Sequence, residues 1–204
     1  MTDCRDLTTL QALCFIILFL QSSEKLCTCY SYIGIAQRAA LRMGLHRKGT
    51  AGFNPIEREL RKRIFWAVRS MDVYVSTLLG LPMMLSNKDI DQEYPLEVDD
   101  EYITPATILT MPSDRVSLMA GSNAYARLVN INVKIVKYIY PVTFPKHQAR
   151  ADQTYLVSYS KIKEIEKDLA GWTETLPPAL RPSSDVSPKF ERSVLLLLKP
   201  PRFN

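Results

Sequence analysis

Histidine, glycine and cysteine are all scarce in this sequence, and each scarcity removes a class of function. Two histidines stand about 100 residues apart, His46 in a Gly-Leu-His-Arg run and His147 in a Pro-Lys-His loop, so no histidine pair is available to hold a metal or relay a proton. Seven glycines in 204 residues supply no glycine-rich phosphate loop, and neither a serine elbow nor paired catalytic carboxylates appear. No enzyme is expected. The four cysteines, Cys4, Cys14, Cys27 and Cys29, all fall in the first 29 residues, and the nearest pair is C-x-C rather than C-x-x-C. Neither a disulfide framework nor a zinc ribbon follows. Cys14 lies in an apolar run and is expected to pack as a small hydrophobe, as a free cysteine does in a reducing compartment. An intracellular setting is therefore expected. That run, Ala12 to Leu20, is nine residues long, against the roughly 20 that a membrane-spanning helix needs. A secretory leader fits poorly too, because Asp3 and Asp6 accompany Arg5 and no small-residue cleavage site follows.

Strand signals are missing as well. No sustained apolar–polar alternation and no Asn-Gly hairpin occur, while helical periodicity recurs along the chain, so the fold class is all-α. A first helix is expected over about residues 8–22. A second, "CYSYIGIAQRAALRMGLHR", places Ile33, Ala36, Ala40 and Met43 on one stripe, with the small Ala39 and Ala40 allowing close helix approach and Gly44 closing it. The third has the clearest start: Asn54 as N-cap, Pro55 in the first turn and Glu57 three residues after the cap. Its apolar stripe is Ile56, Leu60, Ile64, Val68, Met71, Val75 and Leu78, and Gly80 with Pro82 stops it. A fourth helix is expected from Ser113 to about Tyr140 (Leu128, Ile131, Ile135 and Ile139 on its stripe, Pro141 closing it). A fifth runs from about Asp152 to Trp172, carrying Tyr155, Tyr159, Ile162, Ile165, Leu169 and Trp172. After "LPPALRPSSDVSP" the run "SVLLLLKPPRFN" reads as the start of a further helix, cut short.

Charge is present but unevenly placed. The net +5 arises from 26 basic and 21 acidic residues: 11 against 6 over residues 1–79, 1 against 7 over 80–112, and 14 against 8 over 113–204. Two basic helical blocks thus flank one acidic connector containing Pro82, Pro95, Pro105 and Pro112, expected to run over the surface as a long loop with a short turn. Its acids, Asp89, Asp91, Glu93, Asp99, Asp100 and Glu101, fail the calcium-loop pattern because Tyr94 stands where the turn glycine belongs. Caps, solvation and pairing with the basic helices are their expected roles.

"RELRKRIFWAVRSMD", residues 58–72, has the look of an arm for gripping nucleic acid. Arg58, Lys62 and Arg69 project opposite the apolar stripe and Arg61 and Arg63 flank it, which is the layout of a solvated helix face. Glu57 and Glu59 would also repel phosphate. Phe65 and Trp66 point away from the stripe, so a second element is expected to cover part of the other side.

In order along the chain, "TLQALCFIILFLQ", "YSYIGIAQRAALRMGLHR", "ERELRKRIFWAVRSMD" and "GLPMMLSNKDIDQEYP" resemble the middle homology region of fungal binuclear zinc-cluster transcription factors, and "EIEKDLAGWTETLP" is similar to the helix that follows there. The resemblance covers roughly residues 8–178, with 179–204 left as a linker and the start of the truncated helix. It implies an all-helical regulatory domain that modulates RNA polymerase II transcription in the nucleus through a small-molecule effector or a coregulator protein, with a homodimer as a further option and no membrane role. It also implies that zinc and DNA are bound by a separate six-cysteine module, which these residues lack; no cofactor is expected in this chain. A product cut short and acting only as an interaction module is the runner-up. The residues matching the family pattern are Gly44, His46, Arg63, Trp66, Asp72, Gly80 and Pro82, expected in structural roles, with Arg63 and Asp72 in an internal ion pair or cap.

Overall fold

The computed structural model describes residues 6–49, 52–112, 115–139 and 158–181. They form five helices: α1 (Leu7–Ser22), α2 (Leu26–Arg42), α3 (Pro55–Leu79), α4 (Leu118–Ile139) and α5 (Tyr159–Thr175). Among the described residues there is no strand, only one isolated antiparallel bridge between Ile103 and Ile108. The expected sixth helix, with Leu195 to Leu198, lies outside the described residues, as do Ser113, Pro141, His147, the start of the fifth helix from Asp152 through Tyr155, and the side chain of Ile139.

Local chemistry sets the helix ends. Asp6 accepts the Thr9 amide at 2.6 Å and so caps α1, satisfying one of the donors a helix start leaves open. Asn54 does the same for Glu57 at 2.9 Å, and Pro55 fills the first helical position. Gly80 takes the left-handed conformation (φ 66°) that ends α3, its amide reaching back to Ser76 and Thr77. Gly44 (φ 69°) turns the chain after α2 in the same way. The second helix starts at Leu26, three residues ahead of the sequence reading.

α2 packs against both α1 and α3, and α4 bridges α3 to α5. The core between the first three helices contains Leu10, Ile17, Ile33, Ala36, Ala40, Leu45, Phe65 and Val68; the stripes of α2 and α3 supply Ile33, Ala36, Ala40, Ile64, Val68 and Val75, whereas Met43, Leu60, Met71 and Leu78 are half-buried and Ile56 is exposed. Each fully buried leucine, isoleucine, valine or phenylalanine side chain there contributes roughly 1.5–3 kcal/mol. Two expectations need correcting. The fourth helix begins at Leu118, not Ser113, because Ser117 takes the Met119 amide on its hydroxyl and Asp99 takes the Leu118 amide, so the helix is capped there. Its Leu128, Ile131 and Ile135 are only half-buried, while Ala120, Asn123, Ala124, Ala126 and Val129 are buried; small side chains bring the backbone of α4 close to its neighbours.

Candidate functional site: a polar seam beneath the acidic connector

The connector leaves α3 at Gly80, and its first half runs back along the helix it has just left. Five of its polar groups meet partners on α3. The Met84 amide donates to Asp72 at 3.2 Å, Asn87 accepts from Arg69 at 3.0 Å, the Glu93 carbonyl accepts the Trp66 indole N–H at 2.9 Å, the Leu96 amide donates to Glu59 at 2.8 Å, and the Val98 carbonyl accepts from Arg63 at 3.1 Å. From Met84 to Leu96 the partners descend, 72, 69, 66 and 59, which describes a segment laid antiparallel to the helix axis; at Val98 the chain turns back to Arg63. Two short 3-10 turns, Asn87–Asp89 and Asp100–Tyr102, interrupt it where a single turn was expected.

At the lower end of this seam sits a buried ion pair. Arg69 is 0% and Asp72 1% exposed, and the guanidinium donates to the carboxylate at 3.2 Å. Asp72 also accepts from Ser76 at 3.3 Å. Burial pushes the Asp72 carboxyl up and the Arg69 guanidinium down, since each loses water; the Met84 amide and the opposite charge pull the carboxyl back only in part. At the upper end Lys62, 6% exposed, sits between Glu59, 2% exposed, at 3.1 Å and Glu93 at 3.3 Å. Glu93 reaches Lys48 as well, and these two lysines hold its carboxyl below the usual range.

Tyr94 closes the seam toward α4. Its ring stacks on Trp66 with centroids 4.3 Å apart, the Arg127 guanidinium lies 5.6 Å from the ring centre, and its hydroxyl accepts from Asn130 at 2.7 Å. Asn123 donates to the Pro95 carbonyl at 2.8 Å. Asp99 accepts from Ser117 at 2.7 Å and from the first amide of α4, bonds that hold its carboxyl below the ordinary value. One segment thus joins two helices that the chain separates by 38 residues. Among the described residues no three His, Cys, Asp or Glu side chains converge on a point a metal ion could occupy.

The residues singled out in the sequence fall along this seam or at its margins. Trp66 and Asp72 are within it. Arg63 pairs with Asp100, and Asp72 with Arg69, so the two do not pair with one another. Gly80 and Pro82 start the connector, the Pro82 carbonyl accepting from the Tyr30 hydroxyl at 3.0 Å. Gly44 and His46 lie at the turn where the connector crosses α2: the His46 carbonyl accepts the Asp91 amide at 3.0 Å, and its ring accepts from Arg47 at 3.1 Å. Burial, followed by the Arg47 charge, lowers the ring's basicity. The solvated-face reading of α3 is overturned for Lys62 and Arg69, which the connector covers. Phe65 and Trp66 are covered too, as their position off the main stripe implied. Arg69, Glu59, Tyr94, Asn123 and Asn130 were not legible as a set. The usable signal was the facing of a cation-rich helix by a connector with seven acids and one base.

Residues 2–174 match the family described as Fungal specific transcription factor domain. The chain belongs to that family. It is 38% identical over 202 residues to Activator of stress genes 1 of Saccharomyces cerevisiae, covering 96% of this chain and 20% of that protein. It is 37% identical over 188 residues to Activator of stress genes protein 1 of Candida albicans, 87% of this chain and 19% of that one. With Transcriptional activator protein acu-15 of Neurospora crassa it shares 30% identity over 175 residues, 82% of this chain and 18% of that protein. The chain therefore spans about a fifth of the length of the curated relatives it matches. No solved structure matches it. The seam between α3, the connector and α4 lies inside the segment that matches the fungal transcription factor domain.

Proposed function

We propose that this domain serves a zinc-cluster regulator of RNA polymerase II transcription in the nucleus by receiving a small effector or a coregulator protein, and that its response restrains or frees DNA-binding and activating segments elsewhere in the regulator. The observation that carries this reading is the connector: a long segment tied by charge and hydrogen bonds to both α3 and α4, so that a ligand favouring one arrangement of those ties alters how the two helices sit. The α3 cations support a role away from DNA, because Lys62 and Arg69 are buried against acids rather than offered to phosphate. Zinc is assigned to a six-cysteine module outside these residues. Burial raises the thiols of Cys14 and Cys29 to about 11, which makes both poor sources of the thiolates a zinc ion needs.

The test is a domain exchange. The matching region of the Saccharomyces cerevisiae relative is deleted, and this chain is inserted in its place. Regulated output from a reporter under that activator's control should be restored by the exchange and absent from the deletion, with both proteins at equal abundance. Output from the exchanged protein indistinguishable from the deletion would overturn the proposal.

A further inference from the structure

Gln37, in the middle of α2, is 0% exposed, and neither its amide nitrogen nor its amide oxygen meets a partner among the described residues. Leaving a buried polar group unbonded is costly, and native structures satisfy nearly all of them. Arg69 shares the condition: it is also 0% exposed, and its Nε has no partner although its other two nitrogens reach Asp72 and Asn87. The fold brings these two residues to one place. Gln37 follows Tyr30 by seven residues, about two turns, so both lie on one side of α2. The connector runs along that side. Its Pro82 carbonyl accepts the Tyr30 hydroxyl, and further on Asp91 and Gln92 donate to the carbonyls of His46 and Leu45 just past the end of the helix. Asn87, which accepts from Arg69, stands midway between those two attachments. The Arg61 bond to the Met43 carbonyl ties the start of α3 to the end of α2, while Tyr30, near the start of α2, meets the chain just past the end of α3. The two helices are therefore antiparallel, with Gln37 opposite the stretch that holds Arg69 and Asp72.

We infer that the junction of α2, α3 and the connector is a binding site for one buried water molecule, which bridges Gln37 to Arg69. The orphaned atoms define the ligand. They are two donors, the Arg69 Nε–H and the Gln37 amide N–H, and one acceptor, the Gln37 oxygen. A water accepts from both donors and donates to the oxygen, three bonds, the usual number for a buried water. An anion would suit the donors but repel the oxygen, and an apolar group would suit neither. Access limits size. Gln37, Arg69 and Asp72 are 0%, 0% and 1% exposed and the connector's Leu85 is 8% exposed, which leaves no mouth for an effector, while the buried Ala36 and Ala40 bring α2 close to its neighbours. Through the water the buried ion pair, otherwise held by α3 and the connector alone, gains a tie to α2.

A crystal structure of the 204-residue chain, at a resolution that shows ordered waters, tests this. The expected result is density for one water within about 2.7–3.2 Å of both Arg69 Nε and a Gln37 amide atom. A direct Gln37–Arg69 bond, a dry site, or a Gln37 amide turned out to solvent would overturn the inference. Thermal melts give a second readout through Gln37→Met, which keeps most of the volume and removes the amide. Were the amide simply unbonded in an apolar site, the substitution would be neutral or stabilising. With the water in place it takes away two of the three bonds and strands the Arg69 Nε, so the melting temperature should fall by about 2–4 °C, and the water should be missing from the variant's structure. A melting temperature unchanged or raised, or a water still seated in the variant, would also overturn it.

Discussion

Asp72 accepts hydrogen bonds from the Met84 amide, the Ser76 hydroxyl and the Arg69 guanidinium, and Arg69 has no exposure with which to recover water if that carboxylate is lost. Asp72→Ala should therefore cost about 3–5 kcal/mol, the range for breaking a buried pair from one side, read as a lower midpoint in urea. Asp72→Asn keeps an acceptor for the Met84 amide and should cost less, which separates loss of charge from loss of the bond. Acid should loosen the connector by a different route. Asp99 and Glu93 titrate below their ordinary values of 3.8 and 4.5, so the folded chain binds fewer protons than the unfolded one. Their contribution is complete above those values and is lost as pH falls through the lower folded ones. Asp72 runs the other way, since burial raises it and the folded state takes its proton first. Asp99→Asn isolates the connector: unfolding measured from pH 6 down to pH 3 should fall less steeply in the variant than in the wild type, and parallel curves would contradict the assignment.

Among the elements, the connector owes its position to one side chain above others. Tyr94 touches α3 through Trp66 and α4 through Asn130 and Arg127. Tyr94→Phe removes only the hydroxyl bond and should cost about 1 kcal/mol, whereas Tyr94→Ala also removes the stack and should cost about 2–4 kcal/mol. Thermal melts followed by Trp66 emission report both, with the emission change confined to the alanine variant. The helices themselves were legible, because caps and stops act within three or four residues: Asn54 with Glu57 and Gly80 at the other end are local chemistry. The burial of Lys62 and Arg69 was not. A 3.6-residue period identifies one apolar face, and a helix covered on two sides by unlike partners, a core on one and an acidic segment on the other, shows cations on a face that is nonetheless dry. Their connector partners lie 18 and 31 residues further on, Asn87 for Arg69 and Glu93 for Lys62, beyond the reach of any local pattern. In α4 the same limit applied in reverse: the large aliphatic side chains drew the eye, while alanines and asparagines made the contact.

Taken whole, the molecule is unevenly secured. α5 rests chiefly on α4, with Ile165 its one buried side chain, the Trp172 indole on the Ala124 carbonyl at 2.7 Å, and Lys134 shared by Glu164 and Asp168 on partly exposed ground. Its amides should exchange with solvent well before those of α2 and α3, and faster still in high salt, which screens the Lys134 pairs; hydrogen exchange read by mass spectrometry resolves this order. The connector's ties have a consequence in time. Those beyond Asn87 join residues 27 to 37 positions apart along the chain, as at Trp66 with Glu93, Arg63 with Val98 and Glu59 with Leu96, and contacts this distant are expected to close after the local turns of α3 have formed. Interactions formed that late are absent at the folding barrier. Weakening them leaves the refolding rate nearly unchanged and hastens unfolding, which would make the connector the part of the sequence that sets how long each folded copy lasts.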